Sequence, residues 1–215
     1  MYNTILFDLD GTLTDPAEGI TGAVAHSLEQ MGMEPEERSE LVAFIGPPLF
    51  DTYAQRYGFN EAQTRQAVGY FRDYFQRQGI FENKVFDGIP ELLEALHKAG
   101  KTIVLASSKP EVFCKQILEH FGLLQWFDFV AGATFDESRV EKADVIRHAL
   151  DSMHLTPDAH TIMVGDRMHD ALGARKLGLD CIGVAYGYGS EAELKEAGCV
   201  HIVPTVAELG NLLLS

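Results

Sequence analysis

The sequence predicts an α/β protein, with a doubly wound parallel sheet and an all-helical segment inserted after the first strand. Short apolar runs rich in valine and isoleucine, without polar alternation, are typical of strands buried on both faces of a parallel sheet. Amphipathic helical patterns separate most of these runs. Residues 16–86 contain helical patterns but no convincing strand. We therefore predict a core domain of residues 1–15 and 87–215, with residues 16–86 as a helical cap over the carboxyl edge of its sheet.

Six apolar runs are the predicted strands: TILF (4–7), KTIVLA (101–106), FDFVAG (127–132), TIMVG (161–165), CIGVA (181–185) and HIV (201–203). Proline near the first turn and glycine after the last turn mark helices between them. Pro90 and Gly100 bound one such helix, and Pro110 and Gly122 bound the next. In the inserted segment, helical patterns occur in GITGAVAHSLEQMG, ERSELVAFIG and AVGYFRDYFQRQG.

The composition excludes several classes of protein. The chain has 215 residues, 46% hydrophobic and 23% charged, which is ordinary for a globular protein. No run approaches the length of a membrane span, and the first residues lack the basic region of a signal peptide. The three scattered cysteines are typical of reduced thiols in the cytoplasm. The net charge of -15 argues against nucleic acid or an anionic membrane as a partner. We expect a cytoplasmic monomer or homodimer.

The segment ILFDLDGTLTD, residues 5–15, carries three aspartates at and after the end of the first predicted strand. Asp8 and Asp10 are one residue apart, and Asp15 follows. Like charges this close raise each other's pKa unless a cation or a shared proton relieves them. An ordinary acidic turn is the alternative, because aspartate and glycine are common turn residues.

Polar side chains follow two more predicted strands. They are Ser107, Ser108 and Lys109 after KTIVLA, and Asp166, Arg167 and Asp170 after TIMVG. Lys142 begins the helical pattern that precedes the second of these strands. Ligands of an open α/β sheet bind outside the carboxyl ends of its strands, so these groups are candidates for one site. Some have a simpler explanation, since serine and aspartate often cap helices and a lysine is usually solvated.

The chemistry of these groups fits phosphoryl transfer. Mg²⁺ prefers hard oxygen ligands, which Asp8 and Asp166 could supply from different strands. An aspartate can also act as a nucleophile and form an aspartyl-phosphate. Asp10 could then act as general acid and base, while Ser107 and Lys142 hold the phosphoryl oxygens.

The segments DLDGTLTD, ASSKP, Lys142 and GDRMHD resemble, in order and strand context, the four motifs of the haloacid dehalogenase superfamily of aspartate-nucleophile phosphatases. FIGPPL, YFRDYF and AYGYGSEAEL are similar to its phosphoglycolate-phosphatase-like branch, some members of which are assigned as 5'-nucleotidases. The resemblance spans nearly the whole chain. It implies a Rossmann-like core with a helical cap, a Mg²⁺ cofactor and a small phosphorylated metabolite as substrate.

The same resemblance implies roles for individual residues. Asp8 would be nucleophile and metal ligand, and Asp10 would be acid and base while its main-chain carbonyl binds Mg²⁺. Ser107 would bind the phosphoryl group, and Lys142 would bridge it to the nucleophile. The metal ligands would be completed by Asp166 and by Asp170, the latter directly or through water. Ser107-Ser108-Lys109 stands where many relatives have Thr-Asn-Lys, so Ser108 and Lys109 are predicted substrate contacts. Apart from the resemblance, Gly46 in a loop of the inserted segment and the cation Arg72 are predicted to contact the substrate.

Several substrates and one other function stay open at this point. The dehalogenases lack the second aspartate of the first motif, so Asp10 favours phosphate esters over halides. A helical cap would exclude water and favour small substrates. Phosphoglycolate is the first expectation, a nucleoside 5'-monophosphate the second and pyrophosphate the third. A sugar phosphomutase, or a binding protein that keeps the scaffold without turnover, are the alternatives.

Overall fold

The computed structural model describes residues 1–136 and 138–215. Its strands are β1 (Thr4–Phe7), β2 (Thr14–Asp15), β3 (Lys84–Val85), β4 (Thr102–Pro110), β5 (Phe129–Ala133), β6 (Thr161–Gly165), β7 (Asp180–Val184) and β8 (His201–Val203). Its α-helices are α1 (Ala17–Gln30), α2 (Arg38–Leu41), α3 (Leu49–Tyr57), α4 (Glu61–Tyr74), α5 (Ile89–Lys98), α6 (Glu111–His120), α7 (Lys142–Ser152), α8 (Met168–Arg175), α9 (Glu191–Ala197) and α10 (Val206–Leu214). None of these described helices is both long and apolar enough to span a bilayer.

The chain divides into two compact units. Unit 1 is Met1–Asp15 with Val85–Ser215, and unit 2 is Pro16–Lys84. Unit 1 contains a six-stranded sheet in the order β5-β4-β1-β6-β7-β8, and its paired strands are parallel. The predicted doubly wound α/β class with an inserted helical unit is therefore confirmed. The covering role of unit 2 and the predicted domain limits remain predictions.

The central strand of the sheet in unit 1 is apolar and buried. Ile5, Leu6 and Phe7 of β1 are fully buried. Leu6 and Met163 belong to a core cluster that also contains Ile146 of α7 and Ala171 of α8. Both neighbours of β1 lie in register with it, so the strand ends meet at one edge. This edge carries the polar groups described below.

Three details of the predicted elements are wrong. The strand predicted at 101–106 ends later than expected. In the structure β4 continues through the polar residues 107–109 to Pro110, with a register shift after Ala106. Helix α6 begins after Pro110 without a side-chain cap, so the capping alternative for the two serines fails. The inserted segment is not free of strand, since the two residues of β3 pair with β2. Two residues are too few to show a periodic pattern.

Unit 2 is built on the packing of α1 against α4. The Ser27 hydroxyl donates to the carbonyl of Ala67 at 2.8 Å, which ties the two helices together. Asn60 caps α4 in a reciprocal capping box with Gln63. A π-helical turn, Phe75–Gly79, follows α4. A methyl group on Gly19 of α1 would lie 2.0 Å from the carbonyl oxygen of Gly79, so glycine is needed for this close approach.

Candidate active site

The backbone register brings the three motif-bearing strands to one edge. Phe7 pairs with Leu105 of β4 on one side and with Val164 of β6 on the other. The amide of Asp8 still donates to the carbonyl of Val164 at 2.9 Å, so its side chain leaves directly from the sheet edge. Asp166 follows the last residue of β6. Carboxylates from two adjacent strands are therefore neighbours.

Lys142 is a buried cation between two carboxylates. Its ammonium lies 2.8 Å from Oδ1 of Asp8, 2.8 Å from Oδ1 of Asp170 and 3.0 Å from the carbonyl oxygen of Ala106. Burial would lower the pKa of the ammonium, but Asp170 and Asp8 outweigh it and raise the pKa. Gly173 makes the room, because a methyl group there would lie 2.7 Å from Cγ of Lys142. The solvated-lysine alternative is thus wrong.

Asp10 forms a second buried ion pair with Lys109. The Lys109 ammonium lies 2.5 Å from Oδ2 of Asp10, and the two side chains are only 8% and 11% exposed. Burial raises the pKa of the Asp10 carboxyl, although Lys109 opposes the shift. Oδ1 of Asp10 is buried and makes no hydrogen bond within the described part of the chain.

Asp166 is fully buried, and only one of its two carboxylate oxygens has a hydrogen-bond partner among the described residues. Its Oδ2 accepts the backbone N–H of Tyr188 at 2.7 Å. Its Oδ1 is buried and has no hydrogen-bond partner among the described residues. Burial, followed by the charges of Asp170 and Asp8, raises the pKa of Asp166 well above its usual value. Since the residue that caps α8 is Arg167, the capping alternative fails for Asp166.

Asp170 combines capping with membership of the carboxylate cluster. Its Oδ2 accepts the backbone N–H of Arg167 at 3.1 Å, while Oδ1 faces Lys142. Burial raises the pKa of Asp170 to about 6, with Asp8 adding to the shift and Lys142 opposing it. One carboxylate oxygen of each of Asp8, Asp166 and Asp170 lies within 4.8 Å of the others.

This cluster fits a divalent cation. The group contains three buried carboxylates, and one buried lysine pairs with two of them, so its negative charge exceeds its positive charge. The buried, unbonded Oδ1 of Asp166 is a hard oxygen ligand without a partner among the described residues. Mg²⁺ prefers such oxygens and uses only one or two carboxylates alongside water and substrate.

Glycines bring a further loop against the cluster. A methyl group on Gly11, which has φ +81°, would lie 2.2 Å from Oδ2 of Asp166. One on Gly187 would lie 2.3 Å from the carbonyl oxygen of Gly11. The segment AYGYGS resembles the family loop at this place, but its sequence does not predict that its backbone binds Asp166. The available signal was its position, directly after β7 at the same edge of the sheet.

The remaining predicted contacts are distributed over both units. Ser107 is buried in β4 and its Oγ accepts the backbone N–H of Lys109 at 3.3 Å, while Ser108 is half-buried. Gly46, with φ +102°, and Arg72 of α4 belong to unit 2. Contact of these residues with substrate stays a prediction.

Residues 5–184 match the family model of the haloacid dehalogenase-like hydrolases. A 5'-nucleotidase of Pseudomonas aeruginosa is 48% identical over all of this chain and 96% of its own length. The tyrosine-protein kinase PtkA of Mycobacterium tuberculosis is 42% identical over 86% of this chain. The aligned region spans 62% of the length of that kinase. A phosphoglycolate phosphatase of Agrobacterium fabrum is 29% identical over 85% of this chain and 80% of its own.

A solved structure agrees with this family match. The crystal structure of a predicted phosphatase from Clostridium acetobutylicum is 49% identical and superposes with a TM-score of 0.96 over 100% of this chain and 99% of its own. The family expected from the four motifs is thus confirmed. The chain belongs to the haloacid dehalogenase-like hydrolase family, among its phosphoric monoester hydrolases.

Proposed function

We propose that this protein is a Mg²⁺-dependent phosphatase that hydrolyses a small phosphate monoester through an aspartyl-phosphate on Asp8. The observation that carries the proposal is the buried Asp8 carboxylate, held by Lys142 at 2.8 Å beside two further buried aspartates. A carboxylate fixed by a cation at a strand end is a positioned nucleophile. A cytoplasmic location and a monomeric or homodimeric state remain predictions.

In the first step, a carboxylate oxygen of Asp8 attacks phosphorus and the bond to the leaving oxygen breaks. Asp10 gives its proton to that leaving oxygen, so the product departs as a neutral alcohol. Burial raises the pKa of Asp10, which supports its holding a proton in an environment of excess negative charge. Lys109 stays bonded to Asp10 and fixes the direction of its carboxyl group.

In the second step, Asp10 takes a proton from a water molecule that attacks the phosphorus of the aspartyl-phosphate. The acyl phosphate bond breaks, Asp8 returns to its carboxylate form and inorganic phosphate leaves. Lys142 and Ser107 hold phosphoryl oxygens in both steps, where Lys142 offsets their charge. Its ammonium also keeps Asp8 and Asp170 from repelling each other between turnovers.

The cation would be held by the side chains of Asp8 and Asp166 and the carbonyl of Asp10, with Asp170 as a direct or water-mediated ligand. When bound, Mg²⁺ supplies charge neutralisation for the phosphoryl group. Asp166→Asn tests this assignment, because it removes one anionic ligand at constant size. We expect the Mg²⁺ concentration for half-maximal activity to rise about 10- to 100-fold. An unchanged requirement would remove Asp166 from the ligand set.

A nucleoside 5'-monophosphate is the preferred substrate class. The name of the relative that is 48% identical over the whole chain supports it. Phosphoglycolate, the first expectation from the sequence, comes second, because the phosphoglycolate phosphatase compared above is only 29% identical. Pyrophosphate, and a sugar phosphate under mutase chemistry, complete the set.

The experiment is phosphate release across a panel, with Mg²⁺ and with EDTA. The panel contains nucleoside 5'-monophosphates, phosphoglycolate, sugar phosphates, pyrophosphate and p-nitrophenyl phosphate. Protein carrying Asp8→Asn, prepared identically, controls for contaminating phosphatases. Mg²⁺-dependent release that this control lacks supports the proposal, and the ranking of kcat/KM selects the substrate.

Two other results would overturn the proposal. Conversion of a hexose phosphate to its isomer without free phosphate would indicate a mutase, in which the phosphoryl group passes to another hydroxyl. Binding of a phosphate analogue without hydrolysis of any panel member would indicate a protein that keeps the scaffold without turnover.

A further inference from the structure

The loop of residues 185–190 makes contacts that the proposed mechanism does not use. Its backbone N–H at Tyr188 donates to Oδ2 of Asp166 at 2.7 Å. A methyl group on Gly189 would lie 1.9 Å from the carbonyl oxygen of Asp166, so the loop lies directly against this residue. The position of the loop therefore determines which way the Asp166 carboxylate points.

Two tyrosine hydroxyls of this loop donate hydrogen bonds to residues of the first motif. The Tyr186 hydroxyl donates to the carbonyl of Thr12 at 3.0 Å, and its ring packs edge-on against Phe86 at 5.1 Å between centroids. The Tyr188 hydroxyl donates to Oδ1 of Asp15, the last residue of unit 1 before the chain enters unit 2. Tyr188 is half-buried, so packing does not enclose its ring completely.

We propose that Tyr188 is a positioning residue for the divalent cation: its hydroxyl, bound to Asp15, holds the loop so that its backbone N–H occupies one oxygen of Asp166 and leaves the other for the cation. This inference rests on the proposed function. The second oxygen of Asp166, Oδ1, is the buried atom without a partner among the described residues. A backbone donor that engages only Oδ2 fixes the carboxylate plane and thereby directs Oδ1.

The geometry explains why the loop carries glycines around this tyrosine. Gly187 lies against both Gly11 and Asp166, where a methyl group would come within 2.3 Å and 2.4 Å of their atoms. Gly187 and Gly189 therefore leave no room for a side chain between the loop and Asp166. The side chains that hold the loop belong to Tyr186 and Tyr188, whose hydroxyls bind the first motif.

The test is cation affinity without substrate, measured by Mn²⁺ electron paramagnetic resonance and by Mg²⁺ titration calorimetry. Tyr188→Phe removes the hydroxyl and keeps the ring and the backbone N–H. We expect its cation affinity to fall about tenfold. Asp15→Ala should reproduce the loss, the double variant should add little to it, and Asp15→Asn should stay near wild type because its side-chain oxygen still accepts.

Tyr2→Phe is the matched control, since Tyr2 precedes β1 at the opposite end of the strand from Asp8. It should bind the cation as wild type does. At saturating Mg²⁺ the KM of Tyr188→Phe should equal that of wild type, which a general loss of structure would not produce. Melting temperatures without metal verify that each variant is folded.

The outcomes separate this inference from the proposed function. Wild type that binds the cation and Tyr188→Phe that binds it equally well would overturn the role of Tyr188 and leave the phosphatase proposal standing. A tenfold loss that Asp15→Asn shares would also overturn it, because charge and not the hydrogen bond would then be responsible. Wild type that binds no divalent cation would overturn both.

Discussion

The carboxyl edge of the sheet in unit 1 buries charged side chains, whereas an ion pair of unit 2 is exposed. At the carboxyl edge of the sheet in unit 1, Asp8, Asp170 and Lys142 are almost fully buried and bonded to one another. In unit 2, the pair formed by Glu61 and Arg65 is 75% and 58% exposed. Burying charge is costly and adds little net stability even when the charges pair well. The sheet edge of unit 1 therefore carries a cost that this exposed pair avoids, which is expected where charges serve chemistry.

Asp8→Asn should give the largest effect. It removes the proposed nucleophile at nearly constant volume and leaves Lys142 paired with Asp170. Loss of a catalytic nucleophile costs several orders of magnitude, so we expect kcat to fall at least about 10⁴-fold. Phosphate release and the melting temperature are measured together. Residual turnover above about one per cent in a folded variant would refute the nucleophile assignment.

Lys142→Met should lower the free energy of unfolding as well as the activity. It leaves Asp8 and Asp170 buried without their cation, and breaking a buried pair in this way costs about 3–5 kcal/mol. Urea unfolding in EDTA measures this loss, and excess Mg²⁺ should restore part of it by replacing the missing charge. Activity should fall about 10²- to 10³-fold.

The control for this variant is Lys115→Met, which removes an exposed lysine of unit 1 paired with Glu111. It should cost less than about 1 kcal/mol, because solvent screens the pair. Equal losses in the two variants would mean that burial is not the cause.

The contrast between the units also marks what the sequence can predict. The apolar runs and the aspartates that follow them predicted which edge of the sheet carries the site, because ligands of an open α/β sheet bind outside the carboxyl ends of its strands. The burial of Lys142 depends on Gly173, 31 residues later, and local pattern does not connect them. The loop that binds Asp166 does so through a backbone N–H, which every residue type except proline possesses. Its place after β7 could be predicted from the sequence, but its contact with Asp166 could not.

Gly11→Ala tests how closely the site is packed. Gly11 has φ +81°, and a methyl group there would lie 2.2 Å from Oδ2 of Asp166. We expect a loss of about 1–2 kcal/mol from the backbone conformation, and a fall in cation affinity of about tenfold as Asp166 moves. Chemical denaturation and calorimetric Mg²⁺ titration measure the two effects separately.

Gly58→Ala is the matched variant in unit 2. Gly58 also has a positive φ, +65°, but a methyl group there meets nothing within 4 Å. It should show a similar backbone cost of about 1 kcal/mol and no change in cation affinity. A loss of cation affinity in Gly58→Ala would show that backbone strain, and not the contact with Asp166, lowers affinity in Gly11→Ala.

Glu61→Gln should give the smallest effect. Glu61 lies in the first turn of α4 and accepts from Arg65 at 3.0 Å, so the variant loses an exposed ion pair and a favourable charge at a helix N-terminus. Together these should cost less than about 1 kcal/mol, and 1 M NaCl should remove most of the difference because salt screens exposed charges. The loss in Lys142→Met should persist in the same salt, since water and ions do not reach that pair. A Glu61→Gln effect above about 2 kcal/mol, or one insensitive to salt, would show that the pair is not screened as its exposure indicates.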